Sequence, residues 1–555
     1  MSAILLLVVG LACMAAGYFV YSRFIAQKIL KLDPHFQTPA HEINDGVDYV
    51  PTNKYVLWGH HFTSVAGAAP IVGPAIAVIW GWAPAFLWVV LGTIFIAGVH
   101  DMSAVWSSVR NKGQSIGGIA GGVVNGRTRS LFMVVIFLLL LMVNAVFAVV
   151  IAGMMIKTPS AVLPVWGALV VAFIIGQCIY RYKMNLLWVS IIGVGALYTL
   201  IYLGPIFPLA LPDTVMGLPA NAVWIILLFV YAAIASLLPV WMLLQPRDYI
   251  NGLQLFVGLI VLYAAIFLVN PTVVAPAINH DVPAGTPPIM PLLFVTIACG
   301  AISGFHGLVS TGTTSKQIDK ETDARFVGYF GAMGEGMLAL AAILAATAGF
   351  ATLADWKAVY TAFGQGGIGA FIDGGASIMH NGIGLDPTLS ATMLTVMAAL
   401  FAGTTMDTGV RLQRYIFQEW GQIYHIESFQ KGWVATLLAV GTCVLLAFGA
   451  GGLSGSGGML IWPLFGTTNQ LMAGLTLLVV SVMLLKSGRS VWYTLLPMAF
   501  LLIVSIIALL LQLKSFYLDG KWLLVVLDII ILACSIFVSL ECVAVLKRAW
   551  PKKKA

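Results

Sequence analysis

Apolar runs long enough to cross a bilayer recur along this chain from end to end. Polar residues fall in the short gaps between them or interrupt a few of them from within. Counting by length and apolarity predicts about fifteen membrane spans, near 3–22, 60–80, 82–100, 130–155, 161–180, 185–205, 219–244, 250–270, 290–312, 327–350, 389–406, 432–450, 459–485, 491–512 and 522–546. Runs of this length and composition are transmembrane-helix candidates because about 20 apolar residues span the hydrocarbon. The predicted fold class is an all-α polytopic membrane protein. The first run has no basic leader and no small-residue cleavage site, so a retained helix is expected rather than a signal peptide. The stretch 366–383 (GGIGAFIDGGASIMHNGI) is too polar to span and is expected to be re-entrant or interfacial.

Composition agrees with the pattern. The chain has 555 residues, of which 60% are hydrophobic and only 9% charged, which excludes a soluble fold. Basic residues test the segmentation, because cytoplasmic loops carry the Lys and Arg. The loops after odd-numbered spans hold 24 of the 28 basic residues, and the opposite side holds Lys157, Lys357, Lys514 and Lys521. The expected topology therefore has the amino terminus outside and the Lys-rich carboxyl terminus in the cytoplasm. The net charge of +7 follows from that asymmetry and does not indicate nucleic acid. The six cysteines form no CxxC pair, so neither a disulfide framework nor a thiolate metal site is indicated.

The most unusual run is 58–80, WGHHFTSVAGAAPIVGPAIAVIW. Gly67 and Gly73 weaken a helix there, and Pro70 and Pro74 each remove a backbone donor. Freed backbone at membrane depth is tolerated only against protein or a water-filled cavity, and transporters bind substrate and coupling ion at such breaks. His61, Thr63 and Ser64 are candidate site residues beside Gly67. His60 reads equally well as an interfacial residue bonding loop backbone. A second motif, SGFHGLVSTGTTSKQ at 303–317, closes the ninth span. It offers His306 and the hydroxyls of Ser303, Ser310 and Thr311, which can hold a cation or an anionic substrate or simply bond back to the preceding turn.

Membrane acids form a third group. Asp101 follows His100, and Glu335 stands in GAMGEGMLAL without a basic neighbour within a turn. Asp407 lies four residues before Arg411, so a structural i,i+4 ion pair is expected there. Glu335 is the better candidate for a titrating group. Asn144 and Ser236 are polar residues inside apolar spans, where helix–helix hydrogen bonding also explains them. No Walker A sequence, HExxH motif or TVGYG-like filter occurs, which leaves ATP-driven transport, zincin chemistry and potassium-channel selectivity unsupported.

Several motifs together resemble one family, the carbon starvation protein A (CstA) family of bacterial transporters. They are YVLWGHHFTSVAGAAPIVGPAIA at 55–77, Val99-His100-Asp101, the 303–317 motif, GYFGAMGE at 328–335 and WPLFGTTNQL at 462–471. The resemblance implies an inner-membrane secondary transporter for pyruvate or small peptides under carbon starvation, with the pyruvate carriers being proton symporters. It also implies a distant similarity to the LeuT-like (APC superfamily) fold of five-plus-five inverted repeats, with extra helices at both ends. On that analogy residues 1–57 are an amino-terminal helix and loop, 58–430 the transport core and 431–555 peripheral helices. Spans two and seven would be the broken pair.

The resulting expectation is a proton symporter with substrate between spans two, four, seven and nine. Thr63, Ser64, Gly67, Asn144, Ser236, Ser303, His306, Ser310, Thr311 and His61 would line the site. His61, His306, Glu335, Asp101 and Asp407 are the candidates for proton or ion coupling. No cofactor is expected, and the partners are a small substrate, a proton or sodium ion, and lipid. The alternatives are a sodium-coupled peptide or amino-acid symporter, and a membrane metalloenzyme using His60, His61, His100, Asp101 and His306.

Overall fold

Hydrocarbon offers no hydrogen-bond partners, so each apolar run closes its own backbone bonds as a helix. The computed structural model describes residues 1–454 and 457–550. Lys552, Lys553 and Lys554 of the basic tail lie outside the described residues. In chain order the principal helices are α1 (Ala3–Ile29), α2 (Lys54–Ala66), α3 (Ala69–Trp80), α4 (Trp82–Val109), α5 (Gly126–Lys157), α6 (Pro159–Arg181), α7 (Leu186–Leu203), α8 (Ala220–Leu237) and α9 (Leu244–Val269). They continue with α10 (Ile289–Thr296) and α11 (Gly304–Gly312), then α12 (Glu321–Ala348) and α13 (Gly367–Ile383). The last five are α14 (Pro387–Ile423), α15 (Gly432–Gly449), α16 (Gly457–Lys486), α17 (Trp492–Leu518) and α18 (Trp522–Ala549). Among the described residues thirteen helices are long and apolar enough to cross a membrane, and the pair α2 and α3, bent by 45°, passes the same test together. The short halves α10 and α11 stand where the ninth span was expected, so every expected span has a helical counterpart.

Asn residues start several of these helices. The side chains of Asn53, Asn125 and Asn185 accept from the backbone N–H of Tyr55, Thr128 and Leu187, satisfying donors that a first turn leaves free. Helices α5, α12, α14 and α16 are almost wholly buried. Peripheral helices α6, α7, α15, α17 and α18 instead turn large apolar side chains outward, among them Val170, Trp188, Leu445, Leu518 and Phe537. That outward apolar belt is what a lipid-facing surface requires. The 366–383 stretch forms the seventeen-residue helix α13, which packs on α3, α9, α12 and α14.

Two spans are broken. Between α2 and α3 the chain passes through Gly67 at φ 58° and ψ −157°, a conformation open essentially to glycine. A Cβ there would stand 2.6 Å from the Phe147 ring and 2.9 Å from Thr405 Oγ1. Between α10 and α11 residues 297–303 leave the helix, with Gly300 at φ 98°. The two broken spans pack together: a Cβ on Gly73 of α3 would meet the Thr296 carbonyl at 2.4 Å.

This corrects the expected pairing of breaks. Span seven is a continuous helix, Ala220–Leu237, and Pro239 lies beyond its end in the turn to α9. The proline therefore stands past the end of the helix, and the span that the repeat analogy marked as broken is intact. The second break falls in span nine, where Gly300 and Gly304 lower the cost of unwinding and neighbouring side chains satisfy the freed backbone.

Candidate functional site

The unwound segment 297–303 is stabilised by side chains from other elements. Glu335 on α12 accepts the Gly300 N–H with Oε1 at 3.0 Å, and Thr93 on α4 donates to the Gly300 carbonyl at 3.1 Å. Asn469 on α16 accepts from the Phe305 N–H at 2.8 Å and from Ser303 Oγ at 3.1 Å. These bonds replace the helical ladder that Gly300 interrupts.

The same Glu335 starts a buried chain of acids and imidazoles. Its Oε2 lies 3.1 Å from His306 Nε2, an ion-pair separation off the line of a ring N–H. His306 Nδ1 donates to Asp101 Oδ2 at 2.7 Å, and His100 Nδ1 donates to Asp101 Oδ1 at 2.8 Å. His61 Nε2 stands 3.9 Å from Asp101 Oδ2, while its Nδ1 bonds Thr314 Oγ1 at 2.9 Å. All five titratable side chains are buried. Two carboxylates in such a place are tolerated only with compensating protons on the imidazoles, so the charge of the cluster follows its proton count.

His60, one residue along, turns to a different network. Its Nδ1 bonds Asp248 Oδ2 at 2.6 Å, and Asp248 Oδ1 accepts from Arg247 Nε at 2.8 Å. Arg247 also pairs with Asp407, through Nη1 and through Nη2 at 3.2 Å. Tyr231 donates to Asp407 Oδ2 at 2.7 Å. Ser64 Oγ lies 3.3 Å from Thr408 Oγ1 and 3.5 Å from Asp248 Oδ2, and Thr405 donates to the Ser64 carbonyl at 2.9 Å. Adjacent residues on a helix point about 100° apart, so His60 and His61 serve different faces of α2.

One expectation is overturned here, and one of two open readings falls away. Asp407 pairs with Arg247 and not with Arg411. Arg411 reaches Asp48 at 3.2 Å and the carbonyls of Ala235 (3.0 Å) and Leu238. Nor is His60 an interfacial residue bonding loop backbone, since it is buried against Asp248. In the loop before α2, Asp48 also accepts from Tyr415 at 2.6 Å, and Lys316 lies 4.4 Å over the Tyr415 ring. Burial pushes the Asp48 carboxyl up, but Lys316, Arg411 and the Tyr415 hydroxyl outweigh it and hold it below the usual carboxylate range.

The remaining predicted residues divide. Gly67 and Ser64 lie at the first break, and Ser303 at the second. Ser310 is buried with no hydrogen-bond partner among the described residues. Thr63 and Thr311 donate back to the carbonyls of Gly59 and Gly307, each at 2.8 Å. Asn144 donates to Gln413 at 3.0 Å, and Ser236 pairs with Thr436 at 3.2 Å. The last two glue helices together and stand outside both ionisable networks.

The family model described as "Carbon starvation protein CstA" matches residues 2–355 and 350–508. The chain belongs to the carbon starvation protein CstA family. This CstA-family chain is 34% identical to the "Peptide transporter CstA" of Campylobacter jejuni, over 91% of this chain and 79% of the relative. It is 31% identical to the "Pyruvate/proton symporter BtsT" of Escherichia coli (93% and 82% covered) and 32% identical to that organism's "Peptide transporter CstA" (91% and 80%). The fold resembles that of a histidine-to-alanine mutant of the manganese transporter from Eremococcus coleocola, with a TM-score of 0.55 at 12% identity, covering 91% of this chain and 99% of that one. The CstA-family chain is thus a multi-pass membrane transporter and not an enzyme, which removes the metalloenzyme alternative.

Sequence reading missed Arg247, Asp248 and Tyr231. Arg247 counted as a loop cation because it follows Pro246, yet it sits buried in the first turns of α9. The available signal was a charged Arg-Asp pair inside LLQPRDYINGLQLF with apolar residues on both sides.

Proposed function

We propose that this protein is a proton-driven symporter that imports a small carboxylate such as pyruvate, or small peptides, by alternating access. The observation that carries the reading is the chain from the Gly300 N–H through Glu335, His306 and Asp101 to His100. A protonatable relay is tied there directly to the backbone of a broken helix, so proton uptake bears on the segment that must rearrange. The relatives' names, a pyruvate/proton symporter and peptide transporters, support the substrate classes. On this reading spans two and nine are the paired broken helices of a LeuT-like core. The membrane is the bacterial inner membrane, and the excess of basic residues puts the amino terminus outside and the carboxyl terminus in the cytoplasm.

The test is uptake of labelled pyruvate, and then of labelled dialanine, into proteoliposomes holding the pure protein, with an imposed proton gradient and no sodium. Accumulation of either compound that collapses with a protonophore is expected. One observation favours a sodium-coupled reading: the Ser64, Thr405 and Thr408 hydroxyls cluster beside the first break, and oxygen ligands suit a hard cation. Accumulation that requires sodium and ignores the proton gradient would replace the proton reading with that one.

A further inference from the structure

Arg247 is a buried cation on α9 held by two carboxylates that are themselves held unequally. Asp248 is fixed by His60 at 2.6 Å on its other oxygen, with Ser64 at 3.5 Å. Among the described residues Asp407 has, besides Arg247, only the Tyr231 hydroxyl at 2.7 Å. Of the two, Asp407 is the exchangeable partner. A cavity of about 30 Å³ opens beside the guanidinium, lined by Trp166, Tyr231, Leu400, Gly403 and Thr404. That is room for a water and not for a three-carbon acid, so a substrate fits beside Arg247 only after the helices lining this cavity move. Gly403 has nothing within 4 Å of where a Cβ would stand, as expected of a cavity wall.

We propose that Arg247 is the receptor for the carboxylate of the transported substrate, and that Asp407 occupies it until Asp407 takes a proton. The assignment rests on the reading of the protein as a proton-coupled carboxylate or peptide importer, and names the substrate's anchor within it. The planar guanidinium recognises a carboxylate in two-pronged fashion. Charge dictates the exchange. Arg247, Asp248 and Asp407 sum to one negative charge. An arriving carboxylate would make it two, and a proton on Asp407 restores one. Buried charge is costly, so proton and anion enter together, one for one. The groups facing Asp407 are Arg247 and Asp248 from α9 and Tyr231 from α8, with His60 of α2 behind Asp248. Trp166 and Leu400 supply an apolar wall for the acyl methyl or a peptide side chain.

The experiment measures binding of labelled pyruvate and dialanine to the full-length protein in proteoliposomes at pH 6 and pH 8, with unlabelled dialaninamide as a competitor lacking the carboxylate. Wild type is expected to bind at least tenfold better at pH 6, and dialaninamide to compete poorly. Asp407→Asn should bind at both pH values as wild type does at pH 6, yet fail to accumulate substrate on a proton gradient. Arg247→Gln should lose binding at least tenfold at both. The charge-balanced double variant Arg247→Gln/Asp407→Asn, checked by size exclusion and thermal melting, should also lose it and guards against misfolding as the cause. Wild-type binding in the folded double variant, or a retained pH dependence in Asp407→Asn, would overturn the assignment while leaving proton-driven uptake by wild type intact. Absence of proton-driven uptake of either compound by wild type would sink the transport reading itself, and the assignment with it.

Discussion

Asp101 and Glu335 hold one imidazole between them: His306 Nδ1 donates to Asp101 at 2.7 Å, and its Nε2 lies 3.1 Å from Glu335. Glu335 also carries the Gly300 N–H, so a proton arriving at this triad is felt by the unwound backbone. Glu335→Gln retains an acceptor for Gly300 and removes the titrating group. Proton-driven accumulation should fall to background in proteoliposomes, while exchange of labelled for unlabelled substrate without a gradient persists. Wild-type accumulation in this variant would take Glu335 out of the coupling path.

Gly67 makes a different prediction. Its φ of 58° and ψ of −157° belong to glycine, and Phe147 crowds the absent Cβ. Gly67→Ala should cost about 1–3 kcal/mol for the backbone alone, with a further cost from the ring. Thermal melting should show a smaller loss when Gly67→Ala is made in a Phe147→Ala background. The loss should not vanish there, since the backbone strain remains.

Asn469 supports the second break through an acceptor to Phe305 and Nδ2 donation to Ser303 at 3.0 Å. Removing it in Asn469→Ala leaves a buried N–H unpaired, worth about 1–3 kcal/mol. Asn469→Asp keeps the acceptor but buries a carboxyl, so it too should lower the melting temperature. An unchanged melting temperature in Asn469→Ala would show that the Phe305 N–H does not depend on this acceptor.

Asp48 ties the loop before α2 to Arg411 and Tyr415. Its carboxyl is held low because Lys316, Arg411 and the Tyr415 hydroxyl together outweigh burial. A depressed carboxyl contributes stability above its unfolded value of about 3.9 and loses it as the pH falls through the folded value. Hydrogen exchange over residues 43–53, corrected for intrinsic rate, should therefore be constant from pH 8 to pH 5 and rise only in stronger acid. Asp48→Asn should raise it at pH 7. A rise in wild type between pH 8 and pH 6 would point to some other group.

Much of the architecture was legible from residue order. Span positions follow from apolar length, and the first break from Gly67 among Pro70 and Pro74. The motif at 303–317 drew attention to His306 and Ser303, and the lone Glu335 stood out inside an apolar helix. The second break was misplaced because it was taken from the repeat analogy, which pairs span seven with span two, and not from Gly300 in the chain itself. Its true position depends on Glu335, Thr93 and Asn469 arriving from elsewhere to satisfy residues 297–303 and the turn that follows.

Local spacing established that Asp407 and Arg411 share a helix face and that His60 and His61 do not. It left open which partner each would take. Asp407 went to Arg247, 160 residues away, and His60 to Asp248, 188 residues away, because the packing of α2, α8, α9 and α14 brings these groups within hydrogen-bonding distance in the protein interior. The hydropathy of a chain is enough to say where it crosses lipid, since each helix satisfies its own backbone. Buried charges have no such local remedy. Their pairing is decided by whichever distant helices the fold places beside them.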